Sequence, residues 1–553
     1  RGSYRYRCGY LDETVGNIKG VPVAKISGHQ IIAKALKTQG VENMYGVVGI
    51  PVAVIAGSAQ REGINYVGMR HEMPATYAAQ ASSYLNGRIS AALVVSGPGA
   101  LNAVGVDMGF SQESEQVAAM APYAKYAKRA EKIERLPIYI AEAVKKSIMG
   151  VPGPSYIDLP GDVIAGEVDE ELVQWAPRVP DPKRLLSDPQ DVQAAIEALK
   201  TAEQPLVIFG KGIAASRAEA EMRRFVEETG IPYLAMPMAK GIIPDDHEQA
   251  AAAARSFVLS NADLIFLAGA RLNWMLHFGL APRFRDDVRI VQLDFNPEEI
   301  GVNVPSEVAL IGDAKATLGQ MLDVLDKDPW QFPQDSEWLQ SVKAEARQNA
   351  EAIDAMYADH STPLQYYPAL KSIDTALPND AIIVAEGAST MDISRTVLNN
   401  YQARTRLDAG SYGSMGLGHG FAIAAATEHP DRKVLCLQGD GAFGFAGTEC
   451  EVAVRYKLPI TWVVFNNGGI GGHTQEQIDS GTVPPGAMSP GARYDLMMEA
   501  LGGKGYQAET IEDLNAALAE ALTLDGPSRI NVPIAHDAKR KPQKFGWLTS
   551  AAH

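Results

Sequence analysis

Apolar positions along this chain alternate between short unbroken runs and longer stretches with one apolar face. Ala91 to Val95, Pro205 to Phe209, Leu264 to Leu267, Ile290 to Leu293, Val434 to Leu437 and Pro459 to Phe465 are runs of strand length. Residues 64–69 and Met44 to Gly49 read the same way, the latter running into a loop. Between them lie helical patterns at residues 28–38, Pro74 to Ala79 and Gly447 to Arg455. Buried strands separated by helices predict parallel sheets covered on both faces. Two polar, proline-punctuated stretches, Trp175–Pro189 and residues 328–365, divide the pattern into three α/β blocks. The expected domains are 21–175, 190–345 and 360–535, with 536–553 as a tail. Tyr4 to Lys19 carries no period, and Arg1-Gly2-Ser3 reads as a vector remnant.

One unit in the third block carries chemistry. The Val434 run ends in Gly439-Asp440-Gly441-Ala442-Phe443, and the Pro459 run ends 27 residues past Asp440, at Asn467, followed by Gly469. A strand–loop–helix–strand unit puts both loops at the carboxyl edge of a parallel sheet, where such sheets bind ligands. There a carboxylate, a side-chain amide and a backbone carbonyl can meet, hard oxygen ligands suited to Mg²⁺ with phosphate and water in its other positions. The glycines admit a diphosphate close to the backbone, and helix-start N–H groups favour its charge. Alone, Gly-Asp-Gly could as well be a turn; the paired spacing makes the site.

Composition narrows the setting. Of the chain's 553 residues 46% are apolar and 21% charged, ordinary for a soluble protein with several cores. A net charge of −16 argues against nucleic-acid binding. Cys8, Cys436 and Cys450 are too few for a disulfide framework, and no apolar run is long enough to cross a bilayer. With no secretory signal and no Ser-Lys-Leu ending, a cytoplasmic location is expected.

The Asp440–Asn467 pattern resembles the diphosphate motif of thiamine-diphosphate enzymes, and the three blocks resemble the pyrimidine, middle and diphosphate domains of the decarboxylase-like group. The resemblance implies three doubly wound parallel-sheet domains, with thiamine diphosphate and Mg²⁺ as cofactors. It makes Asp440, Asn467 and the Gly469 carbonyl the metal ligands, with Gly439, Gly441, Ala442 and Ile470 beside the cofactor. Glu72, in Arg70-His71-Glu72, looks like the glutamate that activates the aminopyrimidine, although a Glu opening a helix is also a favourable cap. Met415, in Gly413-Ser414-Met415-Gly416, resembles the residue beneath the thiazolium, and the Gly413 carbonyl would accept from the amino group. Gly387-Ala388-Ser389 would help cradle the diphosphate, and Pro51 is a further cofactor-binding candidate. Glu72 and the metal motif of one active site then come from different subunits, which implies at least a homodimer, commonly a homotetramer.

Finer matches point to one branch. Tyr45–Pro51, Met238–Gly241, Gly269–Trp274 and Gly502–Tyr506 resemble 2-hydroxyacyl-CoA lyases and oxalyl-CoA decarboxylases. Leu276–Phe284, Asp328–Pro333 and Phe545–Thr549 look like the lyases. The implied reaction cleaves a 2-hydroxyacyl-CoA to formyl-CoA and an aldehyde or ketone, the cofactor delocalising the carbanion. A base near the 2-hydroxyl is needed; Gln112 with Glu113, His473 and Glu476 are candidates, Glu476 being favoured. Lys539, Arg540 and Lys544 lie in the basic cluster expected to meet the phosphates of coenzyme A, on a tail that closes as a lid. Lys211, Arg271, Asp294 and Asp313 resemble a nucleotide-binding surface in the middle domain, with ADP as its ligand.

Two departures qualify the match. Asp107-Met108 runs straight into Gly109-Phe110, where the family has roughly twenty more residues, more than a short connection supplies. Loss of a core strand would damage the first sheet, so omission from the sequence is expected. After Ile470 the family usually has tyrosine, whereas Gly471-Gly472 stands here; the missing ring would admit a branched substrate such as 2-hydroxyisobutyryl-CoA. The competing readings are an oxalyl-CoA decarboxylase, a flavin-using acetohydroxyacid synthase, and a silent thiamine-diphosphate-binding homologue. Intact Glu72, Met415, Asp440 and Asn467 argue against the last.

Overall fold

The computed structural model describes residues 24–97, 99–100, 115–471, 475–481, 483–489, 491–538 and 540–541. Gln112, Glu113, His473, Lys539, Lys544, the Met108–Gly109 junction and the first 23 residues lie outside them.

The apolar runs become strands with few surprises. Pro205–Phe209, Leu264–Ala268 and Arg289–Asp294 join Val308–Ile311 and Tyr233–Ala235 in a five-stranded parallel sheet. In the third block six parallel strands line up in the order Arg406–Asp408, Ile382–Ala385, Val434–Gly439, Ile460–Asn466, Ser528–Pro533 and Lys504–Gln507. The first block is built from smaller sheets. Asn65–Gly68, Asn43–Gly46 and Ala91–Leu93 pair in parallel, and Tyr126–Arg129 pairs with Ser155–Asp158. Gln116 links the two: it accepts from the Gly97 N–H at 3.1 Å and donates to Asp158 at 2.9 Å.

First and third blocks share a core. The helix Glu72–Asn86 lies against Leu417–Glu428, a helix apolar on every side and therefore buried rather than amphipathic. Small residues make the approach close: a Cβ on Gly420 would stand 2.4 Å from the Pro74 carbonyl oxygen.

One expectation needs correction. Residues 328–365 read as a connection, yet Glu337–Tyr357 is a helix of 21 residues, and a boundary at 345 cuts it. It buries Trp338, Leu339 and Val342, and the Trp338 indole donates to the Pro205 carbonyl at 3.0 Å. With so short an apolar stripe on a charged helix, the periodic signal is weak.

Candidate active site

Four neighbouring strands of the third sheet deliver the expected cofactor residues at their carboxyl ends. Met415 follows Arg406–Asp408, Gly387 follows Ile382–Ala385, Asp440 follows Val434–Gly439, and Asn467 follows Ile460–Asn466. The loops meet. Asp440 is 1% exposed, and its carboxylate accepts from the Gly441 N–H at 2.7 Å and the Gly468 N–H at 2.8 Å. A Cβ on Gly441 would stand 2.9 Å from Ile470, and one on Gly387 3.5 Å from Ala442. Burial raises the Asp440 pKa despite these hydrogen bonds, so the site favours a cation beside it. The Asn467 side chain donates to the Gly471 carbonyl at 3.0 Å, and its backbone carbonyl meets His536 Nδ1 at 2.7 Å. Among the described residues no group of three or more His, Cys, Asp or Glu could hold a metal. What the loops offer is one carboxylate with amide and carbonyl oxygens, a donor set that fits Mg²⁺.

Ala388–Val397 is a helix of ten residues opening at the Gly387–Ser389 turn, so its first N–H groups face the place expected for the diphosphate. Gly387, Gly413 and Gly416 have φ of +90°, +65° and +85°, values that favour glycine. Tyr412 is 92% exposed, and a Cβ on Gly413 would meet no atom of the described residues within 4 Å, so this rim stands free among them.

Pro51 and Glu72 follow adjacent strands of the first sheet, Asn43–Gly46 and Asn65–Gly68. Glu72 is 9% exposed and opens its helix, while His71 caps it by accepting from the Met73 N–H at 3.1 Å. A Cβ on Gly99 would stand 3.2 Å from its carboxylate. Met73 reaches the place where a Cβ on Gly416 would be, at 2.5 Å. The start of the Glu72 helix therefore touches the Met415 loop of its own chain.

Two buried acids escape a reading by motif. Glu386 ends the Ile382 strand fully buried, its carboxylate accepting from Gly416 N–H, from Gly418 N–H at 2.8 Å and from the Gln438 amide at 2.8 Å. Glu449, also fully buried, accepts from the Arg70 N–H at 3.2 Å. Burial pushes the Glu449 pKa up to about 7, against the hydrogen bonds from Arg70 and His71 N–H and the Arg70 charge. Glu386 shows in the sequence only as an acid closing an apolar run, and Glu449 only as an acid after a Gly-Thr turn, two residues before Glu451.

The substrate candidates divide. Glu476 is exposed on the five-residue helix Gln475–Asp479. Arg540 is ion-paired with Asp392 at 2.8 Å, and Asp392 also holds Arg395 at 2.7 Å. Arg283 donates to Ser256 at 2.9 Å, and Arg255 donates to the Met275 carbonyl at 3.0 Å. Burial first, then the charges of Arg283, Arg540 and Arg395, push the Arg255 pKa down to about 10. This gathering of cations from distant segments is invisible in the sequence, although Arg283 lies in a stretch singled out there.

In the middle domain Lys211, Arg271 and Asp294 sit near the carboxyl ends of the sheet, Arg271 within 3.6 Å of Glu299. Asp313 caps the helix Ala314–Lys327 and pairs with Arg184 at 2.6 Å, so its carboxylate already has structural partners.

Three segments of the chain match known domain families. Residues 26–121 match the N-terminal TPP binding domain of thiamine pyrophosphate enzymes, 192–321 the central domain and 385–532 the C-terminal TPP binding domain. The chain is 42% identical to 2-hydroxyacyl-CoA lyase 1 of Homo sapiens, covering 95% of this chain and 97% of that one. It is 36% identical to a 2-hydroxyacyl-CoA lyase of Arabidopsis thaliana, with 92% and 96% covered. Oxalyl-CoA decarboxylase of Escherichia coli (strain K12) is 39% identical, with 92% and 94% covered.

Proposed function

The chain belongs to the thiamine pyrophosphate enzyme family, and on that premise we propose that it cleaves 2-hydroxyacyl-CoA to formyl-CoA and an aldehyde or ketone. The observation that carries this reading is the convergence of Gly387, Met415, Asp440 and Asn467 on adjacent strand ends, in a chain similar over nearly its whole length to lyases of that name.

Thiamine diphosphate, when bound, supplies the carbon nucleophile and the electron sink. Asp440, Asn467 and the Gly469 carbonyl would hold Mg²⁺, and the N–H groups at the start of the Ala388 helix would take the diphosphate charge. Met415, on the Gly413–Gly416 turn, would lie against the cofactor rings. Glu72 would face the aminopyrimidine, completing the site across a homodimer. Exposed Ile50, Tyr412, Phe445 and Ile470 suit burial in such a contact. Arg255, Arg283 and Arg540 provide the cations for the phosphates of coenzyme A, joined by Lys539 and Lys544. Glu476 takes the 2-hydroxyl proton, with Glu113 beside Gln112, or His473, as alternatives. The space that the described residues leave at Gly471 suits a branched 2-hydroxyacyl group, and the Lys211–Arg271 edge of the middle sheet suits a nucleotide such as ADP.

The test is a product assay with thiamine diphosphate, Mg²⁺ and 2-hydroxyisobutyryl-CoA. Acetone together with formyl-CoA is expected. Their absence, with CO₂ released from oxalyl-CoA in parallel, would transfer the reading to the decarboxylase that the Escherichia coli relative represents.

A further inference from the structure

The Glu386 carboxylate ties together three loops that come from three different strands. Its own backbone runs on into the Gly387–Ser389 cradle. Its side chain accepts from Gly416 N–H and Gly418 N–H, with the Leu417 N–H also directed to it, at the start of the twelve-residue helix Leu417–Glu428. On its other side it takes the amide of Gln438, the residue before Gly439-Asp440. Glu386 is fully buried, and a carboxylate in such a place is retained only where several donors meet it. The Gly416 turn it grips has φ of +85° and packs on Met73, so the turn is fixed from both sides before any ligand arrives.

We propose that Glu386 is a positioning residue whose carboxylate presets the Gly413–Gly416 turn, and with it Met415 and the Gly413 carbonyl, for the bent cofactor. The proposal rests on the reading of that turn as the thiamine-diphosphate rest. The cradle and the metal loop carry the diphosphate, whereas the turn sets only the geometry of the rings. Loss of the carboxylate therefore separates affinity from activation. An amide in its place presents hydrogens to donors and keeps a single acceptor oxygen for a row of N–H groups.

The experiment uses the full chain with Mg²⁺ and thiamine diphosphate and no substrate. Affinity is read by calorimetry, and activation by the rate at which the C2 proton of the bound cofactor exchanges with deuterium. For Glu386→Gln we expect affinity within about threefold of the parent and exchange slowed by about tenfold to a hundredfold, the scale of a misplaced reacting group. Exchange at the parental rate with cofactor bound would overturn the proposal. Glu386→Asp, which keeps the carboxyl group and withdraws it by one methylene, is expected to slow exchange likewise, and parental exchange there would overturn it too. In the parent without cofactor, the amide hydrogens of Gly416, Leu417 and Gly418 should be protected; free exchange would mean the turn is not preset, whether or not either variant folds. If the parent itself binds no thiamine diphosphate, the functional reading fails instead, and the two failures are distinct.

Discussion

Glu386 and Glu449 are both fully buried and both end among the backbone N–H groups of a neighbouring loop, yet they serve different boundaries. Every donor to Glu386 belongs to the third domain, and the Gln438 amide closes the ring of contacts. Glu449 reaches across to Arg70 and His71 of the first domain, where the Arg70 charge supports its ionised form and Glu451 opposes it. Burial raises both pKa values, that of Glu449 to about 7. The same device thus acts as a lock within one domain and as a titratable latch between two.

The largest effect expected is at the lock. Glu386→Ala strands the N–H groups of Gly416 to Gly418 and the Gln438 amide in a dry interior, at about 1–3 kcal/mol for each group left unpaired. A loss of about 4 kcal/mol or more is expected on that basis, seen as a large fall in melting temperature without cofactor. A melting point within a few degrees of the parent would mean that water reaches this pocket and that it locks nothing.

How far these features are legible depends on how locally they are encoded. Pro205–Phe209 is apolar at every position and stands out at once, because a buried parallel strand needs no partner to be recognised. Asp440 and Asn467 are equally plain, since their loops are bound to consecutive strands at fixed spacing. Glu386 and Glu449 each show as one acid at the end of an apolar or turn segment, and only the fold supplies the N–H groups that explain them. Arg255, Arg283 and Arg540 lie far apart in the chain and act on one another only after the middle and third domains pack. The helix Glu337–Tyr357 is hidden for the opposite reason, having too little buried surface to impose a pattern.

The latch should be visible as a pH effect. With its pKa raised from 4.5 to about 7 on folding, Glu449 keeps its proton in the folded chain where the unfolded chain has lost it. That contribution is complete below pH 4.5 and disappears as pH rises through 7, costing up to about 3 kcal/mol by pH 8. Glu449→Gln cannot titrate, so its stability relative to the parent should rise between pH 5 and pH 8, as read from melting points at both. A gap independent of pH would make Glu449 another lock and remove the contrast with Glu386.

The smallest effect belongs to a residue outside both contacts. Gly471 has φ of +77° and a Cβ added there would meet no atom of the described residues within 4 Å, so among them a side chain encounters strain but no clash. Gly471→Ala should therefore cost about 1 kcal/mol of stability, the usual penalty for a left-handed L-residue, and leave the preference between branched and straight 2-hydroxyacyl-CoAs unchanged. Gly471→Tyr carries the same strain plus a ring. If the space holds the branch of the substrate, tyrosine lowers turnover of the branched thioester selectively, by about tenfold or more, the worth of a filled apolar subsite. Equal losses on both substrates in both variants would assign the effect to backbone strain, transmitted through the Asn467 amide that donates to the Gly471 carbonyl. The pair of variants thus separates room for a branch from the fit of the metal loop, which tyrosine alone cannot do.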